Sequence, residues 1–336
     1  MDRIAQLQHA TARKSLEAIW FATLCVLLSA CQNQAQEIYR ENTYLSGTIG
    51  DGPGELGYID FEDGEDGIPS TFAISAYGTV WIYDYAHKAI KNYSPTGACV
   101  GAIDLGERLV NDIAAIDSTR LAICYWNRAF IDIIDRSGKI LVSCPLPYEA
   151  AAMTFLCTCD ETVYVLFDAY KPDPVWNPDG KGPSSHYVGA CFSTAGTLLE
   201  LRRDSLAFWV ETCGAYHTAS TDSYPYYDPT LRQILDKSGQ PFMKEVSDTT
   251  AKFEPLGTDG DGNLFLVRTI RESDRVFRYI AVKYAHSGEK LAEFEIPFFD
   301  RSMVHWNKLD RKGNVYVFDW PDEGKNWSIL KYSVSN

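Results

Sequence analysis

Oxygen-bearing side chains at alternate positions are the first candidates for chemistry in this chain. Asp259, Asp261 and Asn263 in TDGDGN could converge on a hard cation such as calcium. The Glu that would complete a calcium loop further along is missing, and DGDGN is also what a tight hairpin turn prefers, so the turn is the favoured reading. Asp51, Glu55, Glu62, Asp63, Glu65 and Asp66 make an acidic segment, read as a solvated loop ahead of a metal site. Asp84, Asp168 and Asp319 each close a strand-like run (VWIYD, TVYVLFD, VYVFD). At equivalent places in a repeat they could form a carboxylate ring; local turn capping is the plainer reading. His87, His217, His286 and His305 are scattered, and no Ser, His, Asp constellation is discernible. No cofactor is expected, with calcium the alternative to test.

Two other residue classes bear on binding and redox state. DAYKPDPVWNPDGKGPSSHY (Asp168 to Tyr187) and GAYHTASTDSYPYYDP (Gly214 to Pro229) are long, rich in Pro and aromatics. Tyr170, Trp176, Tyr187, Tyr216, Tyr224, Tyr226 and Tyr227 are the candidate partner-binding residues, because aromatics with polar tips serve recognition surfaces. The alternative is that they fold back over sheet edges. Beyond Cys25 and Cys31 there remain Cys99, Cys124, Cys144, Cys157, Cys159, Cys191 and Cys213, an odd number that leaves at least one free thiol. Cys157 and Cys159 share one strand face, poor geometry for a bond to each other. No CxxC pair points to a metal.

The elements that must position these residues recur. A Gly-bearing turn between two strand-like runs returns five times, at Gly97, Gly138, Gly196, Gly239 and Gly288. Upstream of these lies a second kind of turn, at Gly78, Ser118, Asp160, Gly262 and Gly313, which joins an apolar run to a β-branched and aromatic one. Short strands repeating at this period predict a β-propeller, since one four-stranded blade cannot bury its own faces. Six blades are expected, at 67–105, 106–147, 148–203, 204–250, 251–297 and 298–336. The fourth lacks the usual first turn. The last stops after three strands, so EIYRENTYLSGTIG (37–50) is expected to supply its outer strand and close the ring. The fold class is therefore all-β, a six-bladed propeller over 37–336.

GDGPGEL (Gly50 to Leu56), Pro69 and FAISAYGTVWIYDYAHKAIKNYSPTG together resemble an NHL-type repeat of the six-bladed propellers in bacterial envelope lipoproteins. The resemblance is close in the first blade and elsewhere extends to turn positions and strand pattern. It implies this fold, with binding on one face of the ring, and implies no activity.

The N-terminus carries an address. Arg3, Arg13 and Lys14 precede the apolar run AIWFATLCVLLSA (Ala18 to Ala30), which suits a signal-peptide h-region better than a membrane span. Leu28, Ser29, Ala30 and Cys31 resemble a lipobox, which makes Cys31 the lipid-bearing first residue after processing. Residues 1–30 are then the signal peptide and 31–36 (CQNQAQ) a short tether. Gln32 resembles the pattern sent to the outer membrane in some diderm bacteria.

With 45 acidic against 31 basic residues the net charge is −14, which argues against nucleic acid and against electrostatic attachment to anionic lipid. The expectation is a monomeric, lipid-anchored binding or scaffold module of the cell envelope with a protein or glycan partner, touching the membrane only through its anchor. The alternative is a divalent-metal-dependent lactonase or lyase with its site in the central channel. The inner strands FAIS, IAAI and AMTFL look too apolar for that, which tips the expectation away from an enzyme. A structural envelope component whose loops pack only on itself is a third reading.

Overall fold

The computed structural model describes residues 37–60, 66–67, 69–126, 128–146, 155–159, 161–169, 186–202, 226–228, 233–235, 252–273, 277–285, 287–297, 306–320 and 325–335. A long strand, β1 (Tyr39–Thr48), leads through a small hairpin, β2 (Ile59–Asp60) and β3 (Asp66–Gly67), into the first blade. That blade is the meander β4 (Thr71–Ile74), β5 (Val80–Asp84), β6 (Ala89–Tyr93) and β7 (Cys99–Asp104). The second is β8 (Val110–Ala115), β9 (Arg120–Tyr125), β10 (Phe130–Asp135) and β11 (Ile140–Pro145). The third is β12 (Phe155–Cys159), β13 (Thr162–Ala169), β14 (His186–Ser193) and β15 (Leu198–Arg202). A two-stranded sheet follows, β16 (Tyr226–Asp228) with β17 (Gln233–Leu235). The penultimate blade is β18 (Lys252–Thr258), β19 (Leu264–Arg271), β20 (Phe277–Tyr284) and β21 (Lys290–Ile296). The closing blade is β22 (Asn307–Leu309), β23 (Val315–Asp319) and β24 (Asn326–Val334), completed by β1 on its outer edge.

The chain is thus an all-β propeller closed by its N-terminal strand. The count differs from expectation: five four-stranded blades are present among the described residues, not six. Where the fourth blade was expected, only β16 and β17 are described. SLAFWVETCGAYHTASTDSYPYY lacks the Gly turn that pairs a first strand with a second, and lies almost wholly outside the described residues.

The turns carry the repeat. Gly78, Gly97, Gly138, Gly196, Gly262, Gly288 and Gly313 all have φ between +76° and +89°, where side chains are strained. Each donates its N–H to the carbonyl three residues back, as in Gly97 to Ser94 (2.9 Å) and Gly138 to Asp135 (3.0 Å). This is a three-residue hairpin turn ending in a left-handed glycine.

The core lies between blades. Middle strands are buried on both faces, so VWIYD of β5 is buried throughout while β7 is largely exposed. Val80, Ile82, Phe72 and Tyr93 of the first blade meet Phe318, Trp327 and Ile329 of the closing blade in one apolar cluster. Ile90, Trp81 and Tyr83 meet Ile113, Ile123 and Tyr125 of the second blade in another. The clasp itself needs Gly47: a Cβ there would come within 2.5 Å of the Trp327 ring, whose Nε1 donates to the Thr48 carbonyl (3.1 Å).

Candidate functional site

Two buried charge clusters stand out, one on the ring axis and one on the face where second strands turn into third strands. On the axis, first strands of neighbouring blades lie side by side, β4 with β8 and β8 with β12. Asp112 of β8 is fully buried there. Its Oδ1 accepts from the Thr71 hydroxyl of β4 (2.6 Å), the Lys308 ammonium of β22 (2.9 Å) and the Ile113 N–H (2.8 Å). Its Oδ2 accepts from the Leu156 N–H of β12 (2.8 Å). One carboxylate therefore ties four blades. Sequence reading missed it because Asp112 stands just ahead of the apolar stretch IAAI; the clue was an Asn-Asp pair opening an inner strand.

On the turn face, Asp84 ends β5 with its side chain fully buried. Its Oδ2 accepts from the Gly57 N–H (3.0 Å), lies 2.9 Å from the Lys91 ammonium and 2.7 Å from His87 Nδ1. Its Oδ1 accepts from the His87 N–H (3.2 Å). Lys91, itself only 5% exposed, also donates to the Glu55 carbonyl and lies 3.2 Å from His87 Nδ1. The remaining ring nitrogen, Nε2, is on the open side, 3.5 Å from the exposed carboxylate of Asp51, and the imidazole is 29% exposed. With its proton on Nδ1, toward Asp84, the ring carries its lone pair on Nε2, the arrangement a general base needs.

Loop 50–57 roofs this cluster, and its composition follows from close approach. Glu55 turns back to accept from the Gly52 N–H (2.9 Å) and the Thr48 hydroxyl (3.0 Å). Those bonds hold the Glu55 carboxyl below its usual range, the Gly52 N–H first. A side chain at Gly50 would collide with that carboxylate, and one at Gly57 would come within 2.7 Å of His87 Nδ1.

The residues singled out by sequence are dispersed. Cys31, Tyr170, Trp176, Tyr216 and Tyr224 lie outside the described residues, as do Glu62, Asp63, Glu65, His217, His286, His305 and Cys213. Tyr187, expected at the end of a loop, lies in β14 opposite Asp168, because β13 and β14 extend further than the hairpin pattern suggests. Tyr226 and Tyr227, also expected in a loop, form β16 against β17. Asp84 faces its own blade's Lys91 and His87 rather than joining a carboxylate ring.

TDGDGN is a turn. Asp259 Oδ1 accepts from the N–H of Asp261 (3.0 Å) and of Asn263 (2.9 Å), and Oδ2 accepts from Asn263 Nδ2 (2.9 Å). Asp310 does the same with Lys312 and Asn314 in the next blade. Among the described residues no group of three or more His, Cys, Asp or Glu side chains is placed to hold a metal. The axial donor set does not fit a divalent cation either, since Asp112 already faces an ammonium and three further donors.

Of the thiols, Cys99, Cys124, Cys144 and Cys191 are free, and Cys157 is disulfide-bonded. Burial pushes the Cys144 and Cys191 thiols up to about 11 and raises Cys124 well above its ordinary value, so all three are poor nucleophiles.

No family model and no curated protein matches the chain, so the NHL-type resemblance stands on its own residues. Solved structures that are similar include a member of the DUF4221 family from Bacteroides vulgatus, 11% identical, covering 90% of this chain and 99% of that one, with a TM-score of 0.48. A gluconolactonase from Xanthomonas campestris is 11% identical, over 89% of this chain and 100% of its own, with a TM-score of 0.44. Regucalcin from Agrobacterium tumefaciens, a calcium-binding protein, is 11% identical, over 86% and 96%, with a TM-score of 0.44.

Proposed function

We propose that this chain is a propeller enzyme that opens a lactone or a comparable ester, with His87 as general base and no metal in the step. The observation that carries the proposal is the 2.7 Å contact between buried Asp84 and His87 Nδ1, which leaves Nε2 on the open side. Nε2 takes a proton from water as the water oxygen adds to the ester carbonyl. The ring C–O bond then breaks, and the proton passes from Nε2 to the leaving alkoxide, giving the hydroxy acid. Proton transfer by a positioned group contributes about 10²- to 10⁴-fold.

Purified protein assayed by pH-stat on glucono-δ-lactone and a panel of simple esters tests this. Turnover should fall about 100-fold or more in His87→Ala. Absence of turnover in the parent, or its retention in His87→Ala, would return the chain to the binding-module reading. Melting scans with calcium and with EDTA check whether a metal takes part, and the expected result is no shift.

The same reading takes Cys31 as lipidated, 1–30 as removed, and the ring as a monomer held in the envelope, the outer membrane by preference. The Cys157 disulfide supports an oxidising compartment. It also takes β16 and β17 as the middle of a sixth blade between the third and the penultimate one. Mass spectrometry of the mature N-terminus tests the anchor: an unmodified Cys31 in the exported protein would discard it.

A further inference from the structure

Apolar exposure is unequal on the two faces of the ring. Of the eleven large apolar side chains exposed among the described residues, three (Tyr58, Leu109 and Trp126) lie toward the face of His87, where second strands turn into third strands. The other eight lie toward the opposite face, where the left-handed glycines turn.

Three of the eight share one device. Just past the glycine turn, the third and fourth strands of a blade slip register between Cys99 and Gly101, between Ile140 and Val142, and between Leu198 and Glu200. The slip leaves Val100, Leu141 and Leu199 as β-bulge residues, each three positions after its glycine, and they are 57%, 43% and 57% exposed. A bulge blunts an open sheet edge by its backbone alone and has no need of an apolar side chain. Ile140 and Leu198, one position earlier, are exposed as well. Ile38 and Val334 occupy the matching end of the closing blade, where the Ser335 N–H donates to the Ile38 carbonyl (2.8 Å), and Tyr77 tips the first turn of the first blade.

The bulges are neighbours on one arc. A Cβ on Gly97 would meet Leu45 of β1 at 3.4 Å, one on Gly138 would meet Ile103 of β7 at 2.6 Å, and one on Gly196 would meet Val142 of β11 at 2.4 Å. Each glycine turn therefore packs on the outer strand of the blade before it, and the closing, first, second and third blades carry their apolar rim side by side. Charge is thin along these turns. SPTGA (94–98) and STAGT (193–197) carry none. In DRSGK (135–139), Asp135 accepts from the N–H groups of Ser137 and Lys139, and Arg136 donates to the Ser118 carbonyl. Asp117 and Glu161, in the first turns of the second and third blades, are paired with Arg120.

We propose that this arc is a membrane-docking face, laid into the headgroup boundary of the bilayer that holds the anchor. The proposal rests on the reading of Cys31 as lipidated and goes beyond attachment through the lipid alone. What points to lipid is the place where the ring begins: Ile38 lies on this face, and the chain from Cys31 to Ile38 reaches at most about 25 Å when fully extended. So short a reach keeps the apolar rim close to the bilayer. Interfacial attachment grows with the apolar area buried, so it does not call for a basic surface on this acidic chain. The His87 face then looks away from the membrane, open to the aqueous side.

The test is spin-label accessibility in the full chain, purified from membranes and reconstituted in vesicles of phosphatidylethanolamine and phosphatidylglycerol, with the mass of the mature N-terminus measured on the same preparation. Labels are placed through Leu141→Cys and Leu199→Cys and, on the opposite face, Leu109→Cys. All are made in a Cys99→Ala background, because Cys99 is the partly exposed free thiol, and that background without a new cysteine is the blank. Docked side chains enter the interface, so the ratio of collisions with oxygen to collisions with a nickel complex should be about threefold or more higher at 141 and 199 than at 109. Adding Val100→Asp and Leu199→Asp to the Leu141→Cys chain should bring the ratio at 141 down to that at 109 while the anchor keeps the chain on the vesicles. These variants alter exposed side chains, and a melting scan on each separates lost docking from lost folding. An acylated Cys31 with labels at 141 and 199 as open to nickel as the one at 109 overturns the docking face and leaves the anchor standing. Shielding that follows protein density at fixed lipid assigns the face to a second copy of the chain and also overturns it. An unmodified Cys31 removes the anchor and the docking face together.

Discussion

The axis and the turn face both bury an aspartate against a lysine, yet one is closed and the other is open. Asp112 receives four donors from four blades: a hydroxyl, an ammonium and two backbone N–H groups. Asp84 receives the same kind of ammonium and two backbone N–H groups, but its remaining donor is an imidazole with one edge in solvent. A buried carboxylate that is fully satisfied by fixed donors fastens structure; one that shares a titratable ring can also move a proton.

Removing the axial carboxylate should give the largest effect on stability. Asp112→Ala strands Lys308, and breaking a buried pair by deleting one partner costs about 3–5 kcal/mol, to be read from denaturant unfolding. Asp112→Ala combined with Lys308→Met should recover much of that loss; a double variant as unstable as the single one would show that the hydrogen bonds to Thr71 and Leu156, not the ion pair, hold the axis.

Lys91→Met comes next. It leaves Asp84 with His87 and Gly57 but takes the donor from the Glu55 carbonyl, so hydrogen exchange in 50–57 should speed up well before the rest of the ring responds. Uniform acceleration across the first blade would mean that the loop and the blade open together, and the contrast between fastener and working site would narrow. His87→Ala should change stability by less than about 1 kcal/mol, as expected for a half-exposed side chain. A loss as large as that of Asp112→Ala would make His87 a structural residue.

The smallest effect belongs to a half-buried pair near the surface, Asp117 with Arg120, that serves as baseline. Burial works to raise the Asp117 carboxyl, and hydrogen bonds from Thr119 and Arg120 outweigh it and hold it at about 2. Its folded value lies below its unfolded value near 4, so its contribution is present above about pH 4 and fades as pH falls toward 2. Asp117→Asn should therefore flatten the acid limb of the melting temperature against pH by lowering it modestly at pH 7 and leaving it nearly unchanged near pH 2.

Much of the fold was legible because it rests on local rules. A left-handed glycine three or four residues after a strand end has few substitutes, so the turns at Gly97, Gly138, Gly196 and Gly288 announced the hairpins, and the three-strand ending at 336 announced the clasp by β1. The sites were far less legible. Thr71, Asp112, Leu156 and Lys308 come from four separate blades, and nothing in the spacing of 71, 112, 156 and 308 marks them as neighbours. His87 looked scattered since its partner Lys91 reads as an ordinary charge in AIKNY, a strand whose burial on both faces appears only when blades stack.

The clasp couples residues 39–48 to 326–334, nearly the full span of the ring. Its outer ladder therefore cannot form until the ribosome has made everything in between, and a chain exported during synthesis would cross the membrane before its closing blade existed. Loss of the last strand would strip both β1 and β23 of a neighbour at once, so a short C-terminal truncation should behave as a change in topology, exposing two sheet edges to other molecules.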